Sequence, residues 1–285
     1  MQPRRLHKTA FTYAKRSIYW KQNSFPFISG DLFADESDVS MYPPKFRTRQ
    51  PSRSEVSDAR VIFCPSDHLE RLLSEFKGAI NAKVLILGNS DRDFADFDFA
   101  LPNSLKKVYI QNLNFKDSRL AVLPIGIENR RLGNNGQLNL FSEKYANNEK
   151  NNKLLVGPFS MTHSERLFYN SLDDSDQWKI LKGRISPRAL AQESSKYRFV
   201  ASPRGNGLDT HRFWETLYRG SLPVVVESQW SRDLALLGIP LVSIDSWQPA
   251  SLSKIFEGGN QYSFSPKKID ALWWGFWKRS IDELL

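Results

Sequence analysis

Cysteine is almost missing from this chain of 285 residues, and with Cys64 as the single example no internal disulfide can form. One thiol suits a reducing compartment. Placed at the end of an apolar strand, Cys64 reads as a buried structural group rather than a nucleophile. No run approaches the roughly eighteen uninterrupted apolar residues of a membrane span. The opening MQPRRLHKTAFTYAKRSIYW has basic residues but no apolar stretch or small-residue cleavage site after them, so a cytoplasmic chain is expected. RNA-binding and zinc-finger patterns are also missing, and the basic residues are scattered rather than massed, which sets nucleic acid aside as a partner. His68 and His163 have no neighbours at metal-ligand spacing and read as structural or surface residues.

What is there is a basic, core-forming composition. The net charge is +9, the pI about 9.5 and the hydrophobic content 40%, enough for one large domain or two ordinary lobes. A field of this sign favours phosphate-bearing partners: a sugar nucleotide, an anionic lipid surface or nucleic acid.

One stretch organises the rest: YRFVASPRGNGLDTHRFWETLYRGSLPVVV, from Tyr197 to Val226. Phe199 to Ala201 form a short apolar run, Pro203 to Asp209 an irregular loop, and Gly220 closes a helix before a second apolar run at Leu222 to Val226. The spacing predicts a βαβ unit. With Asp209 or Thr210 as N-cap, a helical advance puts His211, Arg212, Glu215 and Arg219 on one face and Phe213, Trp214 and Leu217 on the other. The apolar face packs on the sheet, so the charged face is expected to look toward the loop and its guest. Arg204, Gly205, Asn206 and Gly207 stand ahead of the helix, where free N–H groups and the positive dipole end favour an anion. Arg204 and Arg212 can add charge-assisted bonds, which makes a diphosphate the natural guest. A bland alternative stays open, in which the glycines only make a tight turn and Arg212 and Glu215 form a solvated pair. The loop lacks both the third glycine of a dinucleotide fingerprint and the Gly-Lys-Ser/Thr of a Walker A loop.

Around that unit the chain alternates strands and helices. Arg4 to Lys21 reads as a basic, aromatic helix that packs on the first lobe or touches a membrane. Phe25 to Ile28 is an expected strand ending in Ser29-Gly30-Asp31, followed by a polar loop with Pro43, Pro44 and Pro51. Short apolar strands are expected at Ala59 to Cys64, Lys83 to Leu87, Lys107 to Ile110 and Leu120 to Pro124. The Asn- and Gly-rich run Gly133 to Asn152 reads as a connection between lobes. Strands at Lys153 to Phe159, Trp178 to Leu181 and Pro240 to Ile244 complete a second lobe. The alternation predicts an α/β fold, parallel sheets with helices on both faces, and ligands at the C-terminal strand ends. The Trp-rich tail from Ile269 to Leu285 either packs back across the lobes or lies in a bilayer interface.

The run SPRGNGLDTHRFWETLYRGSLPVV resembles the signature of exostosin-type glycosyltransferases and their small bacterial relatives. FISGD at Phe27 to Asp31, GNSD at Gly88 to Asp91 and PIGIEN at Pro124 to Asn129 are similar to the matching segments of the N-terminal lobe. The resemblance implies the two-lobed GT-B fold, with an acceptor lobe at 1–140, a donor lobe at 153–265 and a final helix at 266–285 packing across them. It implies transfer of a sugar, with inversion, from a nucleotide-diphosphate donor to a glycan or glycolipid acceptor. Arg204, Gly205, Asn206, Gly207, Asp209, His211 and Arg212 would hold the donor, and Glu215 would accept bonds from its ribose hydroxyls. No metal or other cofactor is expected, because arginines and a helix dipole take over a cation's task. An inverting transfer needs a base, and the resemblance leads one to expect it from the facing lobe. Asp31 is the first candidate, with Asp91 and Glu128 at comparable strand ends. Contact with the inner face of a membrane stays open.

Two other readings remain. One is a nucleotide-sugar or glycan-binding module without turnover. The other is a metal-dependent transferase using an Asp-x-Asp pair. Of the three such triplets, Asp91-Arg92-Asp93, Asp96-Phe97-Asp98 and Asp174-Ser175-Asp176, only the first directly follows an apolar strand.

Overall fold

The computed structural model describes residues 23–41, 49–257 and 264–285. The expected helix from Arg4 to Lys21 and the prolines Pro43 and Pro44 lie outside the described residues.

Among the described residues ten strands form two parallel five-stranded sheets. The first contains β1 (Val39–Ser40), β2 (Val61–Pro65), β3 (Val84–Gly88), β4 (Lys107–Ile110) and β5 (Leu120–Val122). The second contains β6 (Asn151–Val156), β7 (Trp178–Ile180), β8 (Tyr197–Ala201), β9 (Leu222–Val226) and β10 (Val242–Ile244). Apart from β1, which falls in the stretch expected to be a polar loop, the strands are close to the expected runs, and Leu222–Val226 is unchanged. One expected strand is absent. Phe27 and Ser29 make only isolated antiparallel bridges, and Ser29 instead caps helix α1 (Gly30–Asp35) by accepting from Leu32 N.

The two sheets are wound differently, and that difference explains the tail. The first runs β1-β2-β3-β4-β5 in chain order. Right-handed crossovers that always step the same way put their connections on one face and leave the other without cover. Side chains alternate accordingly: Ile62, Cys64, Leu85 and Leu87 pack with Leu69 and Leu72, while Val61, Phe63, Val84 and Ile86 face a second cluster. That second face is closed by α1 and by the C-terminal helix Trp274–Asp282. Phe33 of α1 meets Trp274 at 5.1 Å and Trp277 at 6.2 Å, and Tyr109 of β4 also meets Trp277 edge-on. The Trp-rich tail is therefore core for the first sheet.

The second sheet has the order β10-β9-β8-β6-β7, so the chain leaves β6 to one side and returns to its other side at β8. The point between β6 and β8 is a topological switch point, the place beyond the carboxyl ends of the strands where open α/β sheets take their ligands. Helix α2 (His211–Tyr218) follows β8, and helix α3 (Gln229–Leu236) follows β9. Phe213, Trp214 and Leu217 of α2 join the same buried cluster as Ile28, Phe33 and Ile127 of the first lobe. Tyr218 extends that seam, its hydroxyl accepting from Ile28 N at 3.2 Å and donating to Leu272 O at 2.6 Å. Apolar contact across the lobes thus fixes where the amino end of α2 points.

Among the described residues no helix is long and apolar enough to cross a membrane.

Candidate functional site: a guanidinium cluster at the switch point

The loop from Ser202 to Thr210 leaves β8 at the switch point and delivers the chain to α2. Neither Gly205 nor Gly207 has the positive φ that would make glycine obligatory for a turn. Close approach is the reason for both. A Cβ on Gly207 would stand 2.6 Å from the side-chain amide of Asn112, which belongs to the first lobe just beyond β4. Asn112 is fully buried and donates to Ser90 O and Arg92 O while accepting from Asp209 N at 2.9 Å, so it has no room to step aside. Gly207→Ala is therefore expected to cost about 1–3 kcal/mol of stability by overpacking the lobe junction. A urea titration checks this. Gly205→Ala serves as the milder control, because its Cβ would meet mainly the far end of Arg166 at 2.9 Å.

Thr210 takes the N-cap position of α2 in extended backbone, but its side chain makes no capping bond. The hydroxyl is buried and has no partner among the described residues. The first turn of α2 therefore keeps its amides without a side-chain cap, which preserves the anion-favouring end. Asp209, the other N-cap candidate, packs on the side of the helix and caps none of its first-turn amides. Its carboxylate accepts from Trp214 Nε1 at 2.7 Å and from Ile125 N, across the lobes, at 2.7 Å. Burial pushes this carboxyl up to about 7, against the pull of the N–H groups it accepts from.

Arg212, in the first turn of α2, donates to Gly157 O and Pro158 O, both at 3.3 Å, in the loop after β6. It sits 5.6 Å from the Phe159 ring centre. Arg166 shares that ring at 5.7 Å and donates to Arg204 O, Ser160 O and Pro203 O. Two guanidinium groups thus lie beside the loops that follow β6 and β8, held by carbonyl dipoles and the shared Phe159 ring. Among the described residues neither is paired with a carboxylate. Burial lowers the pKa of both, that of Arg212 to about 10, so each still carries its charge at neutral pH. Glu215 and Glu165 act on them only from beyond ion-pair distance, and closely placed cations of this kind are a favourable setting for an anionic guest.

Arg204 behaves differently from the expectation. Its Nη2 binds Asp93 Oδ2 of the first lobe at 2.8 Å, while Asn206 Nδ2 donates to Asp91 Oδ2 at 3.0 Å. The Asp91-Arg92-Asp93 triplet is thereby a clasp on the glycine loop. Among the described residues no three His, Cys, Asp or Glu side chains come together in a way that could hold a metal.

The charged face of α2 also needs correcting beyond its first turn. Glu215 is 6% exposed and Arg219 2% exposed, and they pair at 3.4 Å. Arg219 also donates to Leu140 O and lies over the Phe141 ring. The cover comes from residues 138–146, read from sequence as polar connection, which fold into short helical turns that bury Leu140, Phe141 and Tyr145. In this arrangement Glu215 faces Arg219, not a ribose.

The three carboxylates expected to serve as base all have partners. Asp31 stands in the first turn of α1 rather than at a strand end. Its side chain pairs with Arg131 Nε at 2.8 Å and accepts from Asn89 Nδ2 at 3.2 Å. Asn89 has φ 49° and lies so close that any Cβ on Gly30 would overlap its amide. Glu128 accepts from Asn135 N at 2.6 Å and from Gly136 N at 3.3 Å, pinning the following turn. Asp91 holds Asn206, as above.

His211 reaches across to the first lobe, its Nδ1 lying 2.9 Å from Gly126 O. Sequence reasoning passed over Arg166, Phe159 and Asn112. Arg166 lies 38 residues before its partner Arg204, and only the β6–β8 adjacency joins them. Nothing in a linear pattern announces it. Asn112 carried one usable signal, a polar residue directly after an apolar strand in a parallel fold.

In comparisons with known proteins, no family model matches this chain, and no curated protein matches it at a significant level.

Proposed function

We propose that this protein is an exostosin-type glycosyltransferase with a GT-B arrangement of its two lobes, taking a nucleotide-diphosphate sugar as donor and a glycan or glycolipid as acceptor. The observation that carries the reading is the pair Arg166 and Arg212, two cations held by carbonyl groups and the Phe159 ring at the switch point, with no carboxylate at ion-pair distance among the described residues, beside a helix end with no side-chain cap. Such a site can hold a diphosphate in the ground state and stabilise it as the charge of a leaving group develops. Neither task calls for a metal, so EDTA leaves transfer intact in this reading. The net charge of +9 suits phosphate-bearing donors, and work in the cytosol or at the inner face of a membrane belongs to the same proposal.

Thermal-shift measurements with UDP, GDP, CMP and their sugars test it. At least one nucleoside diphosphate raises the unfolding temperature, since a ligand at about 100 times its Kd adds about 2.7 kcal/mol to apparent stability. A flat response to every nucleotide removes the proposal. The second reading, a binding module without turnover, is favoured by one observation: Asp31, Asp91 and Glu128 are all occupied by N–H or guanidinium donors. Slow release of nucleoside diphosphate from a nucleotide sugar separates the two, because a module binds the donor and leaves it whole.

A further inference from the structure

We infer that the proton-accepting group of this site is His211, acting through Nε2; the inference rests on the transferase reading above and deepens it. Gly126 contributes a carbonyl, which can only accept. The contact at 2.9 Å therefore requires the proton of a neutral ring to sit on Nδ1. Nε2 is then a lone-pair acceptor, and it takes no partner among the described residues. The bond to Gly126 fixes both tautomer and ring direction, which is how a histidine base is ordinarily oriented.

Its place in the fold suits the task. Gly126 lies in the loop after β5, at the carboxyl edge of the first sheet, and Gly126 has φ +65°, so its carbonyl is set by a backbone shape that favours glycine. His211 is the residue before Arg212, so one helical turn presents a base toward the first lobe and a cation toward the loop after β6. The carboxylates expected at this junction all have partners among the described residues. Asp31 holds Arg131, Glu128 holds Asn135 and Gly136, Asp91 and Asp93 hold the glycine loop, and Asp209 holds Trp214 and Ile125. His211 itself is only half-buried.

The step balances without any further reagent. Nε2 takes the proton of the acceptor hydroxyl as its oxygen bonds to the anomeric carbon. The bond from that carbon to the diphosphate oxygen breaks, and the leaving diphosphate keeps the electron pair beside Arg212 and Arg166. The imidazolium then returns its proton to solvent. The other titratable groups of this framework are Asp209 ahead of the helix, Arg212 behind His211, and Glu128 two residues beyond Gly126.

His211→Asn is the informative variant. Its side-chain amide can still donate to Gly126 O, so the loop stays docked while the base is gone. We expect a thermal shift with nucleoside diphosphate that persists, donor turnover with water or glycan reduced by about 10²–10⁴-fold, and loss of the acid limb of the pH–rate profile. Added imidazole should restore part of the turnover of His211→Gly. Wild-type turnover or an unchanged pH profile in His211→Asn overturns the assignment, and so does a wild type that binds donor without ever cleaving it. A wild type that binds no nucleoside diphosphate fails at an earlier step, by removing the transferase reading itself.

Discussion

Arg212→Ala is expected to abolish the thermal shift produced by nucleoside diphosphates while leaving the unliganded protein as stable as before, or more so. The two effects separate because of what Arg212 touches. Its bonds within the protein are two long ones to Gly157 O and Pro158 O, with the Phe159 ring alongside. Burial already works against its charge, pushing it down to about 10. A partly desolvated cation with no carboxylate partner is a cost to the folded state, so its removal relieves as much as it loses. Toward a diphosphate the balance reverses. A charge-assisted bond contributes about 1.5–3 kcal/mol, so affinity should fall by about 10- to 150-fold from the lost bonds alone. Arg212→Lys keeps the charge but not the planar fork, and should recover only part of the affinity. Isothermal titration of wild type and both variants, with unfolding curves of the unliganded proteins, decides the matter. A nucleotide response that survives Arg212→Ala moves the anion site elsewhere. A large drop in unliganded stability makes Arg212 a structural residue.

Local signals in the chain carried the second lobe well, because its decisive unit is continuous. The strand at Leu222–Val226, the irregular glycine loop and the amphipathic helix at His211–Tyr218 are all written within thirty residues, and each follows from propensity and periodicity. What was not legible depends on contacts between distant segments. Glu215 and Arg219 fall on the polar face of a helical wheel, yet residues 138–146 cover them, and that cover was disguised by its asparagines. The tail tryptophans were ambiguous between bilayer and core until the one-way winding of the first sheet showed a face that needs covering. Arg204 looked like a ligand group because it neighbours the glycine loop. Its partner Asp93 is 111 residues away, a relation no spacing rule contains. A sequence of this kind specifies where a site lies more readily than which of its charges are already neutralised.

Trp214 and Asp209 form the unit on which the lobe junction depends most, and Trp214→Ala should destabilise the protein by about 3–5 kcal/mol. The side chain is fully buried, packed edge-on against Phe213 at 5.3 Å, and its Nε1 donates to Asp209 at 2.7 Å. Trp214→Phe isolates the polar part, since it retains most of the apolar contact but takes away one of the N–H groups that stabilise a buried carboxylate. That loss should cost about 1–3 kcal/mol. The signature lies in the pH dependence. Burial raises the Asp209 carboxyl from 3.8 to about 7 in the folded protein. The unfolded chain releases this proton near pH 4, whereas the folded chain keeps it until about 7. The contribution of Asp209 to stability is therefore complete below pH 4 and is lost as pH rises through 7, by an amount on the order of 4 kcal/mol. In Trp214→Phe one bond that favours the ionised form is gone, so the same loss should extend to higher pH. Asp209→Asn has no proton to release, and its stability should change less than that of wild type between pH 4 and pH 8. Urea unfolding of the three proteins across that range provides the comparison. Parallel curves for wild type and Asp209→Asn would show that this carboxyl ionises alike in both states, and that the N–H groups from Ile125 and Trp214 fully offset its burial.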